Sequence, residues 1–115
     1  MKRNNIEEQI AIAFIARLEQ YYTDIAKLIF HIKNESTTAH KKIGVNPGIP
    51  DYMLPIAAGG YHGLFLEFKR PGGKLSDKQV CKIALLREQG YKCDVVYGWE
   101  EGIKAVLDYL NNSFL

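Results

Sequence analysis

Glu67-Phe68-Lys69 is the only acid-x-Lys triplet in the chain, and Pro50-Asp51 is its only Pro-Asp step. Side chains alternate faces along a strand, so Glu67 and Lys69 share one face with Phe65, while Leu64, Leu66 and Phe68 share the other. Taken alone, an acid and a base two residues apart suit an exposed ion pair of little energetic weight. Asp51 changes that reading, because it opens a neighbouring strand directly after a proline that fixes the incoming backbone. Strands in a ladder lie ~4.8 Å apart, so carboxylates on adjacent strands in matching register can share one divalent ion. Mg²⁺ accepts a few carboxylate oxygens and fills the rest of its octahedron with water. Such an ion neutralises charge on a phosphoryl oxygen and acidifies a bound water. A lysine beside it orients that water and offsets charge developing on the pentavalent phosphorus. The chemistry these residues could perform is phosphodiester hydrolysis.

The elements that must position them follow from periodicity. Ile6, Ile10, Phe14 and Leu18 recur every four residues and, with Ala11, Ala13 and Ile15, predict an amphipathic helix from Ile6 to about Tyr22. Leu28 to Ile32 is a short β-favouring run, ending at Asn34. Residues 36–42 are polar and ambiguous, compatible with one helical turn. Gly44 to Pro50 is a loop punctuated by glycine and proline. Asp51–Ile56 and Gly63–Lys69 predict strands joined around Ala57-Ala58-Gly59-Gly60, an antiparallel hairpin. After Arg70-Pro71-Gly72-Gly73, Ser76 is the expected N-cap of a helix reaching Gln89, with Gly90 at its C′ position. Tyr91–Tyr97 reads as a fourth strand and Trp99–Asn111 as a last helix. The order is helix, three strands, helix, strand, helix: an α/β protein with a mixed four-stranded sheet flanked by helices.

The 115 residues are the size of one domain, without repeats or linkers, so 1–115 reads as a single unit. Charged residues make up 24% and the net charge is +2, so any nucleic-acid footprint must be local rather than global. No apolar run is long enough to span a membrane. Glu7 and Glu8 fall where a secretory leader would be apolar, and an intracellular, cytoplasmic location is the expectation. Cys81 and Cys93 have no metal-type spacing and read as two reduced core residues. His31, His40 and His62 lack ligand spacing as well. Trp99, Tyr97 and Tyr91 read as core side chains rather than base-stacking platforms.

Pro50-Asp51 followed by Glu67-Phe68-Lys69 resembles the signature of the PD-(D/E)xK nuclease superfamily, and the predicted order of elements matches that restriction-endonuclease-like core. Asn34-Glu35, Gly48-Ile49-Pro50-Asp51, the stretch Gly63 to Ser76 and Gln79 are more particularly similar to the virus-type replication-repair nuclease (VRR-NUC) domain. The resemblance runs over nearly the whole chain. It implies a Mg²⁺- or Mn²⁺-dependent DNA endonuclease, with Asp51 and Glu67 as metal ligands, Lys69 as the catalytic lysine and the Phe68 carbonyl completing the coordination. It also implies an acid from the first helix near the metal. Glu7 and Glu8 compete for that place, and Glu8, which directly precedes Gln9, is preferred; helix-dipole stabilisation accounts for either acid equally well. Gln79 is implied as an active-site residue, although Ser76-Asp77-Lys78-Gln79 also fits an S-x-x-Q capping box.

Stand-alone members of the resembled family are phage or bacterial homodimers acting on branched DNA, so a four-way-junction (Holliday-junction) resolvase is the expected activity. A nicking or flap-type nuclease, or a DNA-binding module without turnover, is the alternative. Two cuts in one junction need two sites, which a symmetric pair supplies. Tyr21, Tyr22, Tyr109, Leu110, Phe114 and Leu115 are the apolar surplus expected to favour pairing. Arg70, Lys74, Lys78 and Lys82 flank the acid cluster, the last two at i, i+4 spacing, and are the expected phosphate contacts. A solvated helix face would explain the same lysines.

Overall fold

Helix α1 (Asn5–Tyr21) buries Phe14 and Leu18 completely, and Ile10, Ala11 and Ile15 pack beside them. The computed structural model describes residues 5–33 and 43–111. Asn34-Glu35, His40, the polar stretch 36–42, Phe114 and Leu115 lie outside those residues. A single turn, α2 (Thr23–Ala26), follows α1 and was not expected from the sequence. The Ile25 carbonyl accepts from the N–H groups of Leu28 and Ile29, which ties the start of the Leu28–Ile32 run to this turn. Strand β1 is therefore only Phe30–His31, with Phe30 half exposed.

Strands β2 (Tyr52–Leu54), β3 (Leu64–Phe68) and β4 (Lys92–Val96) complete a mixed sheet in the order β1-β2-β3-β4. The first three are antiparallel neighbours, and β3 and β4 are parallel. Parallel pairing requires a crossover, supplied by α3 (Asp77–Glu88). The hairpin between β2 and β3 turns at Gly59 and Gly60, whose φ values of 60° and 87° are those of a type I′ turn. Arg70-Pro71-Gly72-Gly73 is a type II turn: proline leads, Gly72 has φ 78°, and the Gly73 N–H donates to the Arg70 carbonyl at 2.8 Å.

The alternation read along β3 divides the core into two layers. Leu64, Leu66 and Phe68 face α1 and α4 (Trp99–Asn111), joined by Tyr52, Leu54, Val106 and Tyr109. Phe65 faces α3 and packs with Ile83 and Cys93. Cys93 is the buried cysteine it was expected to be, but Cys81 is exposed. Two helix positions separate Cys81 from both Gln79 and Ile83, which turns it about 200° away from the sheet-facing side of α3. Tyr22 and Leu110 pack against the core, and the Tyr109 hydroxyl donates to the Ile56 carbonyl at 2.6 Å. Much of the apolar surplus expected to favour a dimer is thus used within the chain; Tyr21 remains exposed. No helix among the described residues is long and apolar enough to cross a membrane.

Gly102 stands in the middle of this packing: a Cβ there would meet Phe14 at 2.9 Å and Phe68 at 3.0 Å. Alanine ordinarily gains roughly 1 kcal/mol over glycine inside a helix. Here overpacking should win, and Gly102→Ala should cost about 1–3 kcal/mol. The check is the urea midpoint, and a midpoint higher than the parent's would show that the two rings yield without strain.

Candidate active site

The register Tyr52↔Leu66, continued by one residue, sets Asp51 directly across from Glu67. Directly opposed residues of an antiparallel pair project from the same face, so both carboxylates point to the α3 side. Asp51 is held from three directions. Pro50, fully buried, precedes it; its own carbonyl accepts from the Ile32 N–H at 2.7 Å; and its Oδ2 accepts from the Phe68 N–H at 3.0 Å. Below the pair, on the α1 side, the rings of Phe14, Tyr52 and Phe68 interlock with centroids 4.9–6.1 Å apart. That trio fixes the ends of β2 and β3 relative to each other.

Glu67 is 3% exposed, the one charged residue among the buried side chains described. Its Oε2 accepts from the Gln79 side-chain amide at 3.0 Å, whereas its Oε1 is buried with no hydrogen-bond partner. An unpartnered buried carboxylate oxygen is costly. Burial raises the Glu67 pKa to about 8, and the neighbouring Asp51 charge pushes it the same way. Asp51 is raised as well, chiefly by burial and against the bond from Phe68 N–H. The Lys69 charge lowers both, as expected of a cation on the same strand face. Its backbone N–H still pairs with the Val96 carbonyl at 2.9 Å, so strand alternation extends through Lys69.

Gln79 completes the capping box that the sequence allowed and is also brought to Glu67. Its backbone N–H and side-chain Oε1 complete the capping box with Ser76, at 3.2 and 2.9 Å. The remaining amide N–H then reaches Glu67, so the cap orients the site residue. Of the two first-helix acids, Glu7 belongs to this region. Its Oε2 accepts from the Arg70 N–H at 3.3 Å, and its charge raises the pKa of both Asp51 and Glu67. Glu8, the acid preferred from sequence, is exposed, and Glu7 is the first-helix acid that the structure brings to this region. The reason is the phase of α1: Glu7 lies four and seven residues before Ala11 and Phe14, on the packed stripe, and Glu8 is turned about 100° away from it.

The donor set suits a hard divalent cation. Two carboxylates crowd together, one oxygen lacks a partner, and the Phe68 carbonyl leaves its strand on the same edge as the N–H bonded to Asp51. Among the described residues no three His, Cys, Asp or Glu side chains are arranged to enclose a metal ion. A cation here would therefore rely on Asp51, Glu67, the Phe68 carbonyl and water, a composition that Mg²⁺ accepts.

Around the site, Arg70, Lys74 and Lys78 are exposed and Lys82 is half-buried. Lys78 and Lys82 line an open groove of about 410 Å³ with Asn46, Pro47, Asp77 and Cys81. Its loop wall is fixed by Gly48, which has φ 92° and would bring a Cβ within 2.7 Å of the Lys78 carbonyl oxygen. The sequence did not single out this wall, and the Asn46-Pro47-Gly48 turn signal is what could have pointed to it.

A carboxylate whose pKa is raised on folding binds its proton more tightly in the native state. Its stabilising contribution is present below the usual value of 4.5 and is lost as pH rises through about 8. Thermal melts in EDTA should accordingly fall from about pH 5 towards pH 8 and above. Glu67→Gln, uncharged and of the same shape, should remove most of that slope and melt higher than the parent on the alkaline side. A slope that the substitution leaves intact would place the titrating group elsewhere.

A sequence model of the VRR-NUC domain matches residues 6–100. A solved structure described as a VRR_NUC domain protein superposes with a TM-score of 0.83 at 24% identity, covering 92% of this chain and 88% of that one. No curated protein matches the chain. The structural likeness establishes the fold, and the match over residues 6–100 establishes the family: the chain belongs to the VRR-NUC nuclease family.

Proposed function

We propose that the chain is a divalent-metal-dependent endonuclease that hydrolyses phosphodiester bonds of branched DNA, a four-way junction being the expected substrate. The observation that carries the reading is Glu67, buried beside Asp51 with one oxygen unpartnered, a state that a bound cation would relieve. In this reading Asp51, Glu67 and the Phe68 carbonyl hold Mg²⁺ or Mn²⁺, which would supply charge neutralisation at the phosphoryl oxygens and an acidified water. Lys69 orients the attacking water and offsets the charge that grows on phosphorus. Gln79 keeps Glu67 in the orientation that presents Oε1 to the site. Glu7 holds the Arg70 backbone, and so the turn through which Arg70 and Lys74 approach the phosphates. Lys78 and Lys82 extend the positive surface along α3 without reading sequence. A two-fold pair of chains would offer the two sites that one junction needs.

The test is Mg²⁺-dependent cleavage of labelled four-way junction, flap, splayed-arm and linear duplex DNA, with sedimentation of the protein and its junction complex. Asp51→Asn and Glu67→Gln should abolish cleavage and spare DNA binding, and Lys69→Ala should lose most turnover. Full activity in either carboxylate variant would refute the ligand assignment. Gln79→Glu keeps the capping chemistry but removes the N–H donor to Glu67, so cleavage should drop while helix content stays unchanged. Each of Lys74, Lys78 and Lys82 replaced by alanine should reduce the salt slope of binding by roughly 0.9. An unchanged slope in the triple variant would make these lysines a solvated face only.

A further inference from the structure

On the side of the molecule covered by α1 and α4, Arg17 lies over two aromatic rings. Its guanidinium carbon lies 4.5 Å from the Trp99 ring centroid and 5.3 Å from that of Tyr21. Among the described residues no ion pair involves Arg17, and the two rings are its contacts there. Arg17, Tyr21, Tyr22, Trp99 and Ile103 line an open groove of about 360 Å³. That is within the range of about 300–1,000 Å³ typical of sites for small planar ligands. Trp99 packs on the core as the sequence suggested, yet it also forms part of this stack. Tyr21 is 59% exposed, so much of its surface is open to solvent.

We infer that this groove binds an unpaired nucleobase of the DNA substrate, stacked on the Tyr21–Arg17–Trp99 platform with its phosphate drawn to Arg17. The inference rests on the nuclease reading above and adds a substrate requirement to it. A planar cation over aromatic rings offers a π surface to any base and a charge to its phosphate, the combination that single-strand binders use. Its placement relative to the site is also suitable. Trp99 follows the end of β4, which runs parallel to β3, so the platform is at the same end of the sheet as Glu67 and Lys69. Helix α1 connects the two, with Glu7 at the site and Arg17 ten residues further on (17 minus 7), a rise of about 15 Å. The substrate is then a branched or tailed DNA with an unpaired nucleotide close to the scissile phosphate.

Trp99 is the sole tryptophan, so its emission reports on this groove alone. The experiment titrates the metal-free protein in EDTA with a splayed-arm DNA, a fully paired duplex of equal length and a splayed-arm DNA carrying abasic sites in its unpaired tails. Fluorescence anisotropy of labelled DNA follows binding independently. The splayed-arm DNA should quench Trp99 saturably, and the duplex and abasic forms should not. Tyr21→Ala and Arg17→Ala, which retain Trp99, should weaken splayed-arm binding about 5- to 150-fold, the range one stacked base contributes. They should leave duplex binding unchanged. DNA that binds by anisotropy without quenching would overturn the platform and leave the nuclease reading standing. Equal quenching by duplex or abasic DNA would overturn it too, since the contact would be with backbone alone. Quenching by a proline-rich peptide but by no DNA would assign the groove to a protein partner and refute the inference. No binding of any DNA, with no cleavage in Mg²⁺, would remove the nuclease reading itself.

Discussion

The structure turns on a carboxylate placed where the fold alone would not favour one. Glu67 sits in a strand whose five residues are all buried, facing Asp51 across the ladder, with one oxygen lacking a hydrogen bond. An apolar side chain in its place would make that strand more stable, so its cost has to be met by its surroundings. Three features of the fold do so. The Phe68 N–H, free of the ladder just before β2 begins, donates to Asp51; the Gln79 amide donates to Glu67; and the positive charge of Lys69 lies on the same face. What these leave is a pair of acids that cannot both be ionised without cost. The strain is local, and it is the strain that the cation of the proposed function would relieve.

The supports of that pair also tie distant segments together. Gln79 cannot rotate to another partner without giving up its side-chain half of the capping box, so the start of the crossover helix and the site share one side chain. Glu7 connects the first turn of α1 to the Arg70 backbone, sixty-three residues away. The type II turn at Pro71-Gly72 then returns the chain towards Ser76. Long-range contacts of this kind close only when the sheet is formed, so the site cannot be ordered before the core is. Packing and chemistry are therefore coupled through a few hydrogen bonds rather than through the bulk of the core.

Most of this was legible where a local rule operates. Strand alternation placed Leu64, Leu66 and Phe68 against the helices and Glu67 on the opposite face, because a period of two allows no other register. The S-x-x-Q spacing gave the cap, and Gly90 took the left-handed C′ position with φ 92°. What was not legible depended on how elements rotate against each other. Helix α1 has apolar residues around much of its circumference, so its sequence does not say which side meets the sheet. Ile12 is 66% exposed while Phe14 is buried, and that rotation alone separates Glu7 from Glu8. Cys81 failed for the same reason on α3. The apolar run at Leu28–Ile32 also gave no sign that the unforeseen turn α2 would take its first residues from the strand.

Helix α1 is the element through which these separate features meet. Its inner stripe carries Glu7 at the acid cluster, Phe14 among the rings that brace β2 and β3, Leu18 in the core and Arg17 against Trp99. Because a helix is stiff over this length, the distance between the acid cluster and the aromatic stack is set by backbone geometry rather than by loop conformation. Gly102 lets α4 approach α1 closely enough for Trp99 to reach Arg17, three residues along each helix from the Phe14–Gly102 contact. In the proposed function, a groove held at fixed distance from the acid cluster would act as a ruler on a strand that spans both. For a chain whose charged phosphates repeat at regular intervals, such a spacing would select on the shape of the strand, since stacking and phosphate contacts are open to every base.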